Sequence, residues 1–263
     1  MQRAVAAIAL LTAPAIQETH ELKWNLRKDQ AFTCAWMHHV KTGNGKTDIR
    51  FELSGGLVIT EVTPVGADGL LAIGKLALSS KDGDKVSEFH FENGKLVKPE
   101  APGENDRSIA DWCAIPVRLR ITPWGAHLLT KDHYAKTLFE AQNDCFGTHL
   151  PTTPVRPGGT WDGWSENFQL KMLHARPVKV SCKLESLKND VATIVVNDRQ
   201  EVRLRQFTLD MTTVSEARFH PVAGYCSYYS IQSTSKDLKQ PREAPDKPDV
   251  TVELKFEMNE KKK

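Results

Sequence analysis

The chain has 263 residues, 40% of them hydrophobic, with 35 Lys and Arg against 33 Asp and Glu. That length suits one large β domain or two smaller ones. A net charge of +2 gives no electrostatic footing for nucleic acid or for an anionic membrane surface, and neither is expected as a partner.

The N-terminus reads as a secretory signal peptide over residues 1–15. Met1-Gln2-Arg3 is a short positive region, Ala4 to Leu11 is an apolar run, and Ala13-Pro14-Ala15 is a small-x-small cleavage site. The run is too short to span a membrane, so no transmembrane segment is expected. No cysteine follows the cleavage site to carry a lipid. The mature protein is therefore expected to be exported, periplasmic or extracellular. Five cysteines follow, Cys34, Cys113, Cys145, Cys182 and Cys226. In an oxidising compartment two bridges and one free thiol, or a set of buried thiols, are both open. No pair has C-x-x-C spacing, which removes a thioredoxin-like site and a zinc knuckle.

Residues 16–149 form a first, β-rich half. Leu22, Trp24 and Leu26 alternate with polar residues, and so do Phe32, Cys34 and Trp36, then Ile49, Phe51 and Leu53. Period-2 alternation is the mark of antiparallel strands with one packed and one wet face. Gly43-Asn44-Gly45, Asp68-Gly69, Asp82-Gly83 and Asn93-Gly94 are expected turns, and Gly55-Gly56 an expected kink or bulge. The predicted strands are 22–40, 46–63, 70–79, 85–92 and 95–98. Residues 99–108 read as a loop, Ile109 to Cys113 as a short helical turn, and Val117, Leu119 and Ile121 as a strand. From Asp132 to Phe146 the spacing becomes helical, with Ala135, Leu138, Phe139 and Gln142 on one face. This segment, about 132–146, is the one substantial helix predicted.

Leu150 to Trp161, L-P-T-T-P-V-R-P-G-G-T-W, holds three prolines and two glycines. It can lie neither in a helix nor in a central strand, and it predicts an extended crossing segment over 150–161. The second half, residues 162–263, repeats the β grammar and is read as part of the same domain. Val178, Val180, Cys182 and Leu184 alternate, Asn189-Asp190 turns the chain, and Val191 to Val196 is a strand. The apolar phase then shifts from Val202 and Leu204 to Phe207, Leu209 and Met211, which predicts a bulge near Gln206. Pro221 to Gly224 breaks the pattern. Tyr225, Ser227, Tyr229 and Ile231 share one face, with Cys226 and Tyr228 on the other. Residues 239–249 read as a linker, and Val250 to Met258 as the last strand. The fold class is mainly β, an antiparallel sandwich or an unclosed barrel.

Chemistry-bearing motifs are sparse. His38-His39 are adjacent on a strand, so they point to opposite faces, cannot share a metal, and read as solvated. Cys145 and His149 stand four apart beside Asp144, but Gly147 interrupts the spacing. Gly69 to Lys75 imitates a phosphate loop, yet its apolar interior and the Leu76 that follows make it a buried strand. Ser233 to Lys236 matches S-x-x-K without its partner motifs. Cys34 and Cys182 lie among inward apolar residues and read as buried thiols. The six tryptophans read as anchors, some of which can line a pocket. The ligand-binding candidates are Trp24, Trp36, Leu138 and Trp161. No catalytic residue, metal or cofactor is predicted.

Three of these stretches resemble a family of exported bacterial proteins of unknown function. They are Leu22 to Phe32, where Asp29 stands at the family's usual Gly; Leu150-Pro151, Pro154-Val155, Gly158 and Trp161; and Ala217, Phe219 and Gly224. The resemblance carries turns and anchors but no catalytic residues. More distantly the layout looks like the open half-barrels that carry lipoproteins or lipids across the periplasm, a fold analogy. The expected function is a non-enzymatic binding or structural protein of the envelope, with a lipid or other apolar ligand held between sheet and helix, or an envelope protein as partner. The alternatives are an enzyme of unrecognised type with a site near Asp144 and His149, and a protein-protein interaction module.

Overall fold

The computed structural model describes residues 18–43, 45–64, 66–122, 125–129, 150–165, 178–203, 208–238 and 249–261. In chain order the elements are β1 (Ala31–Thr42), β2 (Thr47–Thr63), β3 (Gly66–Asp82), β4 (Lys85–Glu92), β5 (Lys95–Lys98), α1 (Glu104–Cys113), β6 (Val117–Thr122) and β7 (Gly125–Leu128). Then come β8 (Thr160–Ser165), β9 (Val178–Lys188), β10 (Val191–Arg203), β11 (Thr208–His220), β12 (Tyr225–Asp237) and β13 (Val250–Glu260). The described strands form one antiparallel sheet in the order β5-β4-β3-β2-β1-β13-β12-β11-β10-β9-β8, with β6 and β7 branching from β3. β5 and β8 end the sheet without meeting, so it is not closed. Of the two expected architectures, the unclosed single sheet is the one found.

Both halves contribute one apolar face to a common core. Phe32, Cys34 and Trp36 of β1, Phe51, Leu53, Leu57 and Ile59 of β2, and Leu254, Phe256 and Met258 of β13 are buried in it. Ile194 and Val196 of β10 and Val180, Cys182 and Leu184 of β9 continue it. Each large apolar side chain so buried contributes about 2–3 kcal/mol. Trp36 and Phe256, cross-strand partners, bring their rings to 5.2 Å.

Several expected elements change in detail. The first predicted strand divides at Asp29, whose φ of 65° turns the chain before β1 begins at Ala31. The left-handed region favours Gly, and here Asp29 adopts it. Asp68-Gly69 is no turn but lies within β3. Arg120 of β6 donates twice to the Asp68 carboxylate, at 2.7 and 2.9 Å, and a Cβ at residue 69 would lie 2.9 Å from Leu57 Cδ1. The hairpin between β2 and β3 instead closes at Thr63 and Gly66. Ion pairing and close packing, rather than turn geometry, explain this Asp-Gly.

Gly55 does mark an irregularity, but the extra residue is Gly74 on the facing strand. There the buried series of β3 changes from Leu71 and Ile73 to Leu76. A Cβ on Gly55 would overlap the Ala72 carbonyl, so the glycine admits the bulge opposite. Beyond the bulge β3 changes partner on one edge, from β6 (residues 67–71) to β4 (residues 75–82).

Gln206, where a bulge is expected, lies outside the described residues. β10 ends at Arg203 and β11 returns from Thr208, paired with it. In β12 the register slips at Ser227, which turns Cys226 inward and buries it fully, against the pattern expected. Asn189 and Asp190, with φ of 51° and 59°, make the expected turn between β9 and β10.

α1 starts at Glu104 inside the stretch read as loop. It contains the helical turn expected at Ile109 to Cys113, and its two buried residues, Ile109 and Cys113, both lie in that turn. Asp106 accepts from the Gly103 N–H at 2.8 Å, and acidic residues occupy the positive first turn. The helix lies against β3, β4 and β5. The predicted helix over 132–146, with Leu138, Asp144 and His149, lies outside the described residues. No helix among the described residues is long and apolar enough to cross a membrane.

Gly55→Ala should force β2 away from β3 and cost about 2–3 kcal/mol in urea denaturation. A loss below about 0.5 kcal/mol would show that the ladder absorbs the extra carbon without strain.

Candidate functional site

The leading site is a cavity of about 300 Å³ at one end of the sheet. One wall is the extended segment 22–26, which alternates as expected: Leu22 and Leu26 are buried, while Lys23 and Asn25 are exposed. A second wall is the β2–β3 hairpin, with Val62, Pro64 and Ala67, together with Ile121 of β6. The third is Leu150-Pro151-Thr152, the start of the proline-rich crossing segment. The lining is mainly apolar, with Lys23, Asn25, Thr63 and Thr152 as its polar members. Its volume is at the small end for a ligand site.

The segment 22–26 is no part of the sheet. It is anchored at His20, which exchanges two backbone hydrogen bonds with Val155, at 2.7 and 2.9 Å. Further on, the Asn25 N–H donates to the Gly224 carbonyl at 2.9 Å, and the Trp24 ring meets Phe219 edge-on at 5.9 Å. Gly224, with φ of 70°, is in such close contact that a Cβ there would overlap the Asn25 backbone. After Leu26 the chain rejoins the sheet, Asp29 N–H bonding to Ile59 O and Ile59 N–H to Gln30 O.

Of the four ligand-binding candidates, the structure places Trp24 at this cavity. Trp36 is deep in the core against Phe256. Trp161, opposite Cys182 in the β8–β9 ladder, packs on the core at the far edge of the sheet. Leu138 is outside the described residues. Pattern reading missed Val62, Ala67 and Ile121, because each looks like an ordinary strand residue, the first half-exposed and the other two buried. Their one distinction is that three non-adjacent segments converge on them.

His38 and His39 do face opposite ways, but only His39 meets solvent. Its Nε2 is 3.0 Å from Asp48 Oδ1, which also accepts from Arg50 Nε at 3.3 Å. Burial works to raise the Asp48 pKa, yet the bonds from Arg50 and His39 outweigh it and hold the carboxyl below its ordinary range. His38 is buried, 6% exposed, and not solvated as its pattern suggested. Burial, helped by the positive field of His39, depresses its pKa from 6.5 to about 4.

Cys34, Cys113, Cys182 and Cys226 are free and buried, none of them paired. Burial pushes the thiols of Cys113, Cys182 and Cys226 up to about 12, and that of Cys34 up as well. Such thiols are poor nucleophiles. Ser227 Oγ lies 2.9 Å from His220 Nε2, but the same hydroxyl reaches the Arg218 carbonyl at 3.3 Å. The His220 ring is stacked on Tyr225. This arrangement ties β11 to β12 at the bulge. Among the described residues no group of His, Cys, Asp and Glu is arranged to hold a metal ion.

No protein-family model matches the chain, and no curated protein matches it.

Two outcomes follow from the buried groups. Alkylation of the native protein should spare Cys34, Cys113, Cys182 and Cys226, while denaturation should expose all four, as read by peptide mass mapping. Below pH 6.5 the unfolded chain protonates at residue 38 before the folded protein does, so folding stability falls until about pH 4. Between pH 7 and 4.5 the wild type should lose about 2–3 kcal/mol more than His38→Leu. Equal losses in urea titrations would remove His38 as the acid-sensitive group.

Proposed function

We propose that the chain is an exported, non-enzymatic binding protein of the bacterial envelope that holds an apolar ligand in the cavity beside Trp24. The single observation that carries this reading is the cavity itself, walled by Leu22, Leu26, Val62, Ala67, Ile121 and Leu150. An apolar concavity favours a ligand because binding removes apolar surface from water on both sides. The N-terminal leader supports export. The unclosed sheet supports the analogy with periplasmic half-barrels at the level of fold. The cavity lies between the segment 22–26 and the β2–β3 hairpin, while the helix expected to cover the ligand, about 132–146, lies outside the described residues.

The test is fluorescence titration of the mature protein with N-phenyl-1-naphthylamine, a dye that brightens in apolar surroundings. The wild type should bind it saturably. Ala67→Phe places a ring in the cavity and should weaken binding at least tenfold, a loss of about 1.4 kcal/mol. Absence of saturable binding by the folded wild type would defeat the proposal. Unchanged binding by Ala67→Phe would move the site elsewhere.

A further inference from the structure

The geometry points to the extended segment 20–26 as a hinged strap whose release opens the cavity, an inference that rests on the binding role proposed above. Its neighbours on the cavity wall are held differently. Val62, Ala67 and Ile121 belong to β2, β3 and β6, which are held to one another by strand ladders on this side of the cavity. The strap, by contrast, is fixed among the described residues at His20 by the paired bonds to Val155 and near its other end by the bond from Asn25 to Gly224. At its far end the left-handed Asp29 supplies a corner where the chain changes direction before entering β1.

Two further features set the strap apart from a passive wall. The Trp24 indole Nε1 is buried and has no hydrogen-bond partner among the described residues. A buried donor without an acceptor raises the free energy of the closed state, and lifting the strap returns that donor to water. Opening also exposes Leu22 and Leu26, which opposes it. An apolar ligand that covers these side chains lowers that opposition, so occupancy and strap position are coupled. The contact that seats the strap is the Gly224 turn between β11 and β12, which lies outside the cavity lining. Gly224 accepts Asn25 because it has no side chain.

The test locks and loosens the strap by substitutions at residues that do not themselves line the cavity. His20 and Val155 form an antiparallel pair that exchanges both backbone bonds, a geometry with Cα atoms about 5.5 Å apart, within reach of a disulfide. Neither residue lines the cavity. The double variant His20→Cys, Val155→Cys is oxidised with glutathione disulfide, and the association rate of N-phenyl-1-naphthylamine is followed by stopped flow before and after reduction. The expected result is association at least tenfold slower in the oxidised form, restored by dithiothreitol in the same molecules. Gly224→Ala, which pushes the strap away from its seat, should speed association and dissociation several-fold while the protein stays folded by near-ultraviolet circular dichroism. Equal rates in the oxidised and reduced double variant, with dye affinity intact, would overturn the strap and leave the binding role standing. Failure of the wild type to bind the dye would overturn the binding role and the strap with it.

Discussion

The ladder between β1 and β13 holds the two halves of this protein together. It runs from Phe32 opposite Glu260 to Thr42 opposite Val250. On one side lie β2 to β5, each following its neighbour in sequence, and on the other β12 back to β8. Without this pairing the chain would form two meanders, each with an exposed edge at the seam. With it, Cys34 meets Met258, Trp36 meets Phe256 and His38 meets Leu254 across the seam. Five of these six residues are packed apolar or thiol side chains, so the seam is apolar as well as hydrogen-bonded. Its formation requires residues 32–42 and 250–260 to find one another, a contact of high sequence separation.

The departures from regular pairing determine where the cavity lies. β3 is long enough to serve two partners on one edge, and the Gly74 bulge separates the part joined to β6 from the part joined to β4. The Asp68–Arg120 pair secures the first of these joints. Its carboxyl is held below the ordinary range by those hydrogen bonds to the guanidinium. Past this point the walls are no longer ladder strands but two irregular segments, 20–26 and 150–155, joined to each other by the His20–Val155 bridge. Irregular backbone cannot pack to the density of a sheet without finding partners for its own polar groups, and space remains between it and the hairpin.

The polar residues of the apolar face form a second pattern. Thr213, Ser215, Ser233 and Ser235 are buried on β11 and β12, with Thr213 Oγ1 3.3 Å from Ser233 Oγ. They lie toward the opposite ends of β11 and β12 from Phe219 and Tyr225. The buried face is therefore graded, aromatic where the strap crosses and hydroxyl-rich at the far end. Small hydroxyls can satisfy themselves locally, which makes them tolerable in a buried sheet face, and Asp237 is buried beyond them at the end of β12.

The sequence by itself determined the antiparallel β class, most strand positions and three of the turns in the first half. Period-2 alternation and left-handed turn residues are local consequences of backbone geometry, as at Val250 to Met258 and Asn93-Gly94. It also put Trp24 on one face with Leu22 and Leu26, and of the tryptophans named as pocket candidates Trp24 lines the cavity while Trp36 and Trp161 pack elsewhere on the core. Only the tertiary structure decided that Asp68-Gly69 is an ion-paired strand segment, that Gly55 accommodates a bulge on its neighbour, and that His38 is buried beside a solvated His39. The cavity belonged to tertiary structure too. The Val62–Ala67 hairpin, Ile121 and Leu150 are distant from one another in sequence and unremarkable one by one, and nothing in local spacing encodes that β3 pairs with β6 while residues 150–152 return to the strap. Local physics sets which face of each strand is apolar, whereas strand order and the gaps between segments depend on contacts made across the whole chain.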